Sequence, residues 1–185
     1  MFYLHVDDEI KLNILQLQEL KPLHQLISDS REHLQPYITW IRDANEASVK
    51  DFIQSGLHAF ARNQGFNAGI YYREKLAGYI GLHYIHWSHR KTEIGYWLGA
   101  SYTGKGIMIR SCKALLNYIF NYLHLHRVTI LCGKENVKSR AIPKGLQFVE
   151  EGFLRDAEWL YDHYIHLVMY SMLKHEWERI YSSKK

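Results

Sequence analysis

The chain has 185 residues, 47% hydrophobic and 14% aromatic against 23% charged, which excludes a disordered chain and leaves room for one domain with a real core. Its 23 Lys and Arg against 19 Asp and Glu leave a formal charge of +4, too small and too scattered to name nucleic acid or a membrane surface as partner. Two cysteines, Cys112 and Cys132, make no secreted disulfide framework, and Asp7-Asp8-Glu9 stands where a signal peptide needs a basic then apolar run, so a soluble, cytoplasmic protein with reduced thiols is expected.

With prolines only at 22, 36 and 143 and no linker, repeat or low-complexity run, a single domain is expected over residues 1–181, ending in a frayed tail. From Glu9 to Leu15, Ile10, Leu12 and Ile14 alternate with Lys11 and Asn13, the period of a strand. Helical spacing follows at about Lys21 to Ile27 and again at Ser48 to Arg62, where Val49, Phe52, Ile53 and Leu57 share a face. The stretch Leu34 to Trp40 is too interrupted to extend either helix. Asn67 to Tyr72 and Leu76 to Ile85, rich in β-branched and aromatic residues and joined by Arg73-Glu74-Lys75, read as a hairpin. A third strand is expected from Thr92 to Leu98.

Between Gly104 and Leu123, the residues Met108, Cys112, Leu115, Ile119 and Leu123 recur at spacings of three and four, the clearest helix in the chain. Val128 to Cys132 reads as a short apolar strand, Val137 to Leu146 as a helix, and Phe148 to Leu154 with His163 to Leu173 as closing strands. Consecutive strands that pair directly predict an α+β (mixed α/β) fold, a mostly antiparallel twisted sheet flanked by helices.

Two segments carry chemistry. In Glu93-Ile94-Gly95-Tyr96-Trp97-Leu98 followed by Tyr102-Thr103-Gly104-Lys105-Gly106-Ile107-Met108, a strand, a glycine turn and a long helix come in sequence. Glycines at 104 and 106 permit positive φ and close approach of the backbone, and a helix start offers unpaired N–H groups, so the turn suits an anion such as a pyrophosphate. The plainer reading is that the glycines only make the turn and Lys105 is a solvated cation. In the second segment, Asn136-Val137-Lys138-Ser139-Arg140-Ala141 opens a helix and Phe148-Val149-Glu150-Glu151-Gly152 follows; there Asn136 and Ser139 also suit a helix cap.

Taken in this order and spacing, these segments resemble the GNAT superfamily of acyl-CoA-dependent N-acyltransferases, and more narrowly the RimJ/RimL branch of ribosomal-protein N-terminal acetyltransferases. The resemblance runs from about Ile10 to Trp177. It implies the GNAT acyl-CoA N-acyltransferase fold, with the sheet splayed between the strands ending at Leu98 and Cys132 and acetyl-CoA lying in the gap. Backbone groups of Tyr96, Trp97 and Leu98 would pair with the pantetheine arm. The N–H groups of Thr103, Gly104, Lys105, Gly106, Ile107 and Met108 would hold the pyrophosphate. Asn136 would bond the pantetheine, and Ser139 would face the sulfur and protonate the leaving thiolate. The sequence departs from the family pattern at Ser101 and Thr103, where longer polar residues are usual, and at His166, which stands near a commonly acidic position.

The expected activity is acetyl transfer to a primary amine, first the N-terminal α-amine of a ribosomal protein. Deprotonating an α-amine of pKa near ~8 at pH 7 costs about 1 kcal/mol, against nearly ~5 for a lysine near ~10.4, so a modest base is enough. Glu93, in the strand beside the cofactor, and Glu158, in the connection between the last strands, are the candidates; either is otherwise a solvated carboxylate. The alternatives are a small-amine (polyamine or aminoglycoside) acetyltransferase, a non-catalytic acyl-CoA-binding module, and a basic RNA-associated module. No metal is expected, since His83, His86 and His89 run from strand into loop and would not share a face. Cys132 reads as a small buried hydrophobe rather than a nucleophile. Direct nucleic-acid and membrane partners are not expected, and a homodimer is left open.

Overall fold

The computed structural model describes residues 2–181, so the tail expected at 182–185 lies outside the described residues. In chain order the elements are β1 (Tyr3–His5), β2 (Ile10–Ile14), α1 (Leu20–Asp29), α2 (Arg31–Leu34), α3 (Glu46–Ala61), β3 (Phe66–Tyr72), β4 (Lys75–His86) and β5 (Lys91–Leu98). They continue with α4 (Ile107–Asn121), β6 (Arg127–Gly133), α5 (Val137–Gly145), β7 (Val149–Leu160), β8 (His163–Leu173) and α6 (Lys174–Tyr181). The strands form one sheet in the order β1-β2-β3-β4-β5-β6-β8-β7.

Several boundaries differ from the expectation for local reasons. β1 is three residues long, too short to show a period. The β3–β4 turn needs only Arg73 and Glu74, whose φ of 48° and 65° match the tight primed hairpin turns, so Lys75 already belongs to β4. The long helix begins at Ile107 rather than Gly104, because Gly104 and Gly106 take φ of 76° and 68°. Tyr181, the last residue of the expected domain, closes α6: its ring lies 4.2 Å from that of Trp177, and its hydroxyl donates to the Leu146 carbonyl at 3.2 Å. Glu158 lies inside β7, opposite Ile165 of β8, rather than in the connection, because β7 continues across an irregularity after Leu154.

Alternation along the strands sends apolar side chains to both faces of the sheet. On one face α4 buries Ile107, Met108, Cys112, Leu115, Leu116, Ile119 and Phe120 against Leu12, Ile80, Ile94 and Ile130. On the other, Leu23 and Ile27 of α1 and Val49 and Ile53 of α3 pack with Tyr79 of β4 and Trp97 of β5. No helix among the described residues is long and apolar enough to cross a membrane.

Neighbouring strands pair antiparallel throughout, except β5 and β6, which run parallel and pair only at Lys91–Arg127, Thr92–Val128 and Glu93–Thr129. Past that point the two strands part. Thr129 of β6 donates its hydroxyl to the Thr92 carbonyl at 3.2 Å, tying the strands at the root of the gap.

Farther along the sheet, Arg127 of β6 reaches past β8 to Glu151 of β7, bonding both carboxylate oxygens, one of which also accepts from the Ser171 hydroxyl. These donors pull the Glu151 carboxyl down to about 2. A carboxyl lowered on folding adds stability above its unfolded pKa and loses it as pH falls toward the folded value. Glu151→Gln should cost about 1 kcal/mol at pH 7, discounted for the pair's partial exposure, with the gap between parent and variant closing from pH ~4.5 down to ~2. Urea unfolding of both proteins across that range measures it; a constant difference would show that the ionic pair contributes nothing.

Candidate active site

The opened edge of β5 and the starts of α4 and α5 surround a cleft of about 600 Å³, lined by Tyr96, Trp97, Leu98, Thr103, Gly104, Gly106, Ile107, Met108, Asn136 and Ser139 among others. Ten of the positions expected from sequence to bind a cofactor therefore meet here, although they come from three separated segments. Lys105 is exposed on the same turn, its ammonium 5.6 Å from the Tyr102 ring and 6.0 Å from the Tyr72 ring.

The turn has the features that suit an anion. Gly106 occupies the N-cap position of α4, which has no side-chain cap and no acidic residue in its first turn, so the positive end of the helix is left uncompensated. Open space surrounds the place where a Cβ would stand on Gly104 and on Gly106. Arg110, one turn into α4, holds the loop from behind: it donates to the carbonyls of Gly106 at 3.3 Å and Lys105 at 3.4 Å. The same guanidinium is anchored by Asp7 at 2.8 Å and Glu9 at 3.1 Å, from the turn between β1 and β2.

At the α5 end, Asn136 is the N-cap: its side-chain oxygen accepts from the Ser139 N–H at 3.1 Å. The capping alternative thus holds for Asn136, while its side-chain NH₂ remains a donor at the cleft. Ser139 donates its hydroxyl to Cys132 Sγ at 3.3 Å. Cys132 is buried, and burial pushes its thiol up, as befits a small core residue rather than a nucleophile.

Pro143 sits inside α5 and has no N–H to give to the carbonyl four residues earlier, that of Ser139. Tyr96 of β5 fills the vacancy: its hydroxyl crosses the gap and donates to the Ser139 carbonyl at 2.9 Å. Burial raises the Tyr96 hydroxyl well above its ordinary pKa, so it stays a donor.

A second cavity, of about 560 Å³, opens toward α3 and is lined by Tyr37, Trp40, Phe52, Asn67, Tyr79, His83, Gly95 and Trp97. Tyr37, Ile38, Tyr96, Trp97, Leu131 and Glu158 line both cavities, so the two meet at the parted strands. Glu158 is the carboxylate at that junction. Burial, followed by the nearby Glu93 charge, raises its pKa, while His83 opposes the rise. It reaches this place because β7 carries two extra residues between Leu154 and Glu158, an irregularity held by His166, whose Nδ1 accepts from the Asp156 N–H at 2.9 Å.

Glu93 lines neither cavity. It lies behind His83, whose Nδ1 donates to its carboxylate at 2.9 Å. The ring lies over Gly95, where a Cβ would come within 2.0 Å of Nε2, so only glycine leaves it room. The extra residue of a bulge in β4, between Leu82 and Ile85, delivers His83 to the cavity. Sequence reasoning set His83 aside with His86 and His89; in the fold those two rings face each other at 4.3 Å, apart from the His83–Glu93 pair. No group of three or more His, Cys, Asp or Glu among the described residues is placed to hold a metal. Only the three-dimensional pairing distinguishes His83, since its alternation along β4 is broken by the bulge.

The family profile described as acetyltransferase (GNAT) domain matches residues 10–149. The chain is 34% identical over 180 residues to YdaF of Bacillus subtilis (strain 168), whose name assigns it ribosomal N-acetyltransferase activity provisionally; the match covers 96% of this chain and 98% of that one. It is 28% identical over 169 residues to the ribosomal-protein-serine acetyltransferase of Escherichia coli (strain K12), covering 91% and 94%. It is also 26% identical over 170 residues to that organism's spermidine N(1)-acetyltransferase, covering 91% and 88%. The solved structure of RimL, a ribosomal L7/L12 alpha-N-protein acetyltransferase in complex with coenzyme A, superposes with a TM-score of 0.89 at 25% identity, covering 93% of this chain and 98% of that one.

The brace across the gap is testable. Tyr96→Phe leaves the Ser139 carbonyl without a donor and should cost about 1–2 kcal/mol in urea unfolding. In a Pro143→Ala background, where a backbone N–H returns to that carbonyl, the same change should cost less. Equal costs in both backgrounds would rule out the exchange of donors.

Proposed function

The chain belongs to the GNAT acetyltransferase family, and from that premise we propose that it acetylates the N-terminal α-amine of a protein, a ribosomal protein first, with acetyl-CoA as donor. One observation carries the reading: the cleft at the starts of α4 and α5 and the cavity beside α3 meet at the gap between β5 and β6, with Glu158 on the shared wall.

The residues fit the donor. The edge of β5 from Ile94 to Leu98 has no strand partner toward β6, so the backbone of Tyr96, Trp97 and Leu98 suits an extended pantetheine arm. The turn from Thr103 to Met108 suits the pyrophosphate, and the Asn136 amide suits the pantetheine. Bound there, acetyl-CoA supplies an acetyl group activated as a thioester. Glu158 takes the proton of the attacking amine, directly or through water, and its raised pKa matches a base meant for an α-amine. Glu93 acts as a positioning residue, holding His83 toward the cavity. The Ser139 hydroxyl turns from Cys132 to give a proton to the departing thiolate.

The second cavity also bears on the acceptor. Glu158 is the sole carboxylate among its lining residues, a poor match for a polyamine with several ammonium groups and a good one for a single amine. An aminoglycoside meets the same objection, and a non-catalytic acyl-CoA-binding module gives no account of a half-buried carboxylate at the junction. The two free cysteines suit the reducing cytoplasm.

Gly106→Val should fold, because its Cβ meets open space, yet lose acetyl-CoA binding, because a branched side chain opposes the φ of 68° and blocks the backbone. Calorimetry on the folded variant decides; unchanged affinity would remove the pyrophosphate assignment.

Glu158→Gln should lower kcat on the order of 10²-fold while acetyl-CoA still binds. A protonated carboxyl cannot accept a proton, so the parent's rate should fall as pH drops through the Glu158 pKa, which burial raises from its ordinary value, and the variant should lack that limb. Glu93→Gln should lose less than Glu158→Gln. If both variants matched the parent in rate and pH profile on an N-terminal ribosomal peptide, no protein base would be required.

A further inference from the structure

Four aromatic rings form a continuous wall on one side of the second cavity. Trp40 stacks on Phe52 with centroids 5.1 Å apart, Phe52 meets Tyr79 edge-on at 5.1 Å, and Tyr79 lies 6.3 Å from Trp97. All four line the cavity, from the segment before α3, from α3, from β4 and from β5. The polar side chains on the lining besides the tyrosines are Thr39, Ser55, Asn67, His83 and Glu158. Asn67 is already committed, donating to the Phe52 carbonyl at 3.0 Å and accepting from the Tyr79 hydroxyl at 3.2 Å. One carboxylate at the junction and a wall of rings beyond it describe a site for one amine and one large apolar group.

The wall is also held in place. The segment carrying Tyr37 and Trp40 is clamped by Arg31, which donates to the carbonyls of Ile41, Arg42 and Ala44. From the β7–β8 hairpin, Tyr161 donates to the Ile38 carbonyl at 2.6 Å, and its ring lies 4.0 Å from the Arg42 guanidinium. A preformed aromatic surface favours a partner that buries apolar area against it and costs little ordering.

We infer that the preferred acceptor is a monoamine carrying an aromatic or large aliphatic group next to the amine, such as a peptide beginning with Phe, Tyr, Trp or Leu. This rests on the second cavity being the acceptor site. In the transfer, the amine nitrogen bonds the acetyl carbon, the carbon–sulfur bond breaks, the amine proton goes to Glu158, and the thiolate takes a proton through the Ser139 hydroxyl, which regains one from solvent. The apolar group meanwhile lies against Trp40 and Phe52. A short N-terminal residue such as Ser reaches the junction without covering the rings.

The test compares kcat/KM, read as thiol release from acetyl-CoA, for otherwise identical peptides beginning with Phe, Leu, Ser and Gly, and for phenethylamine and spermidine. Phe and Leu peptides should exceed Ser and Gly peptides by about 10-fold or more. Phenethylamine as good as the Phe peptide would indicate a free arylalkylamine; activity confined to peptides would indicate a protein N-terminus; either supports the inference. Trp40→Ala and Phe52→Ala should each lower kcat/KM for the Phe peptide about 10-fold, and Trp40→Phe should restore most of it. Acetyl-CoA binding by calorimetry reports that the variants fold. Equal use of Ser and Phe peptides, or spermidine preferred over every monoamine, would overturn the inference while leaving the transferase intact. Acetyl-CoA binding with no acceptor acetylated would overturn the transferase reading and this inference with it.

Discussion

Everything at the site depends on the failure of β5 and β6 to stay paired. A continuous ladder would wall off one face of the sheet from the other, because side chains alternate between faces and the backbone between them is closed by hydrogen bonds. Pairing stops after Glu93 and Thr129, and the two cavities meet where it stops. An opened sheet leaves backbone groups unsatisfied, so the gap needs support. It receives it from the Thr129–Thr92 bond at its root and from Tyr96, which spans it to a carbonyl that Pro143 has left without its helical donor. A proline inside a short helix, ordinarily a defect, here creates the acceptor that fixes the helix to the strand across the opening.

The electrostatics follow from the same geometry. The uncapped start of α4 presents positive potential to the cleft, and Arg110 holds the loop carbonyls away from it through Asp7 and Glu9. Glu158, on the wall between the cavities, is raised by burial and by Glu93. The uncompensated start of α4 and the raised carboxyl of Glu158 therefore border one opening. Two strand irregularities deliver the side chains: the bulge in β4 presents His83, and the longer one in β7 presents Glu158.

The departures from the family pattern have structural consequences of different weight. Ser101 lies exposed in the 3₁₀ turn before the glycines, and Thr103 spends its hydroxyl on the Ala100 carbonyl at 3.0 Å. His166 matters more. It accepts from the Asp156 N–H and so helps shape the β7 irregularity that carries Glu158 inward, which makes it part of the site's scaffold rather than a replacement for an acid.

By itself the sequence determined what short-range physics can determine. Apolar periodicity located α3, α4 and the central strands, and the glycines at 104 and 106 marked a backbone needing positive φ before a helix start. The ordered motifs placed Asn136 and Ser139 at the head of α5, where both are found. Tertiary structure alone decided the rest. That Glu93 stands behind His83, that Glu158 belongs to a strand and faces both cavities, and that Tyr96 answers Pro143 are relations between residues 10 to 75 positions apart in the chain. The aromatic wall likewise joins Trp40 to Trp97 through Phe52 and Tyr79, rings from two other segments of the chain. Periodicity says which face of an element is apolar. It carries no information about bulges, which shift one residue by a position and turn it to a new neighbour, and it was at the bulges that the site was assembled.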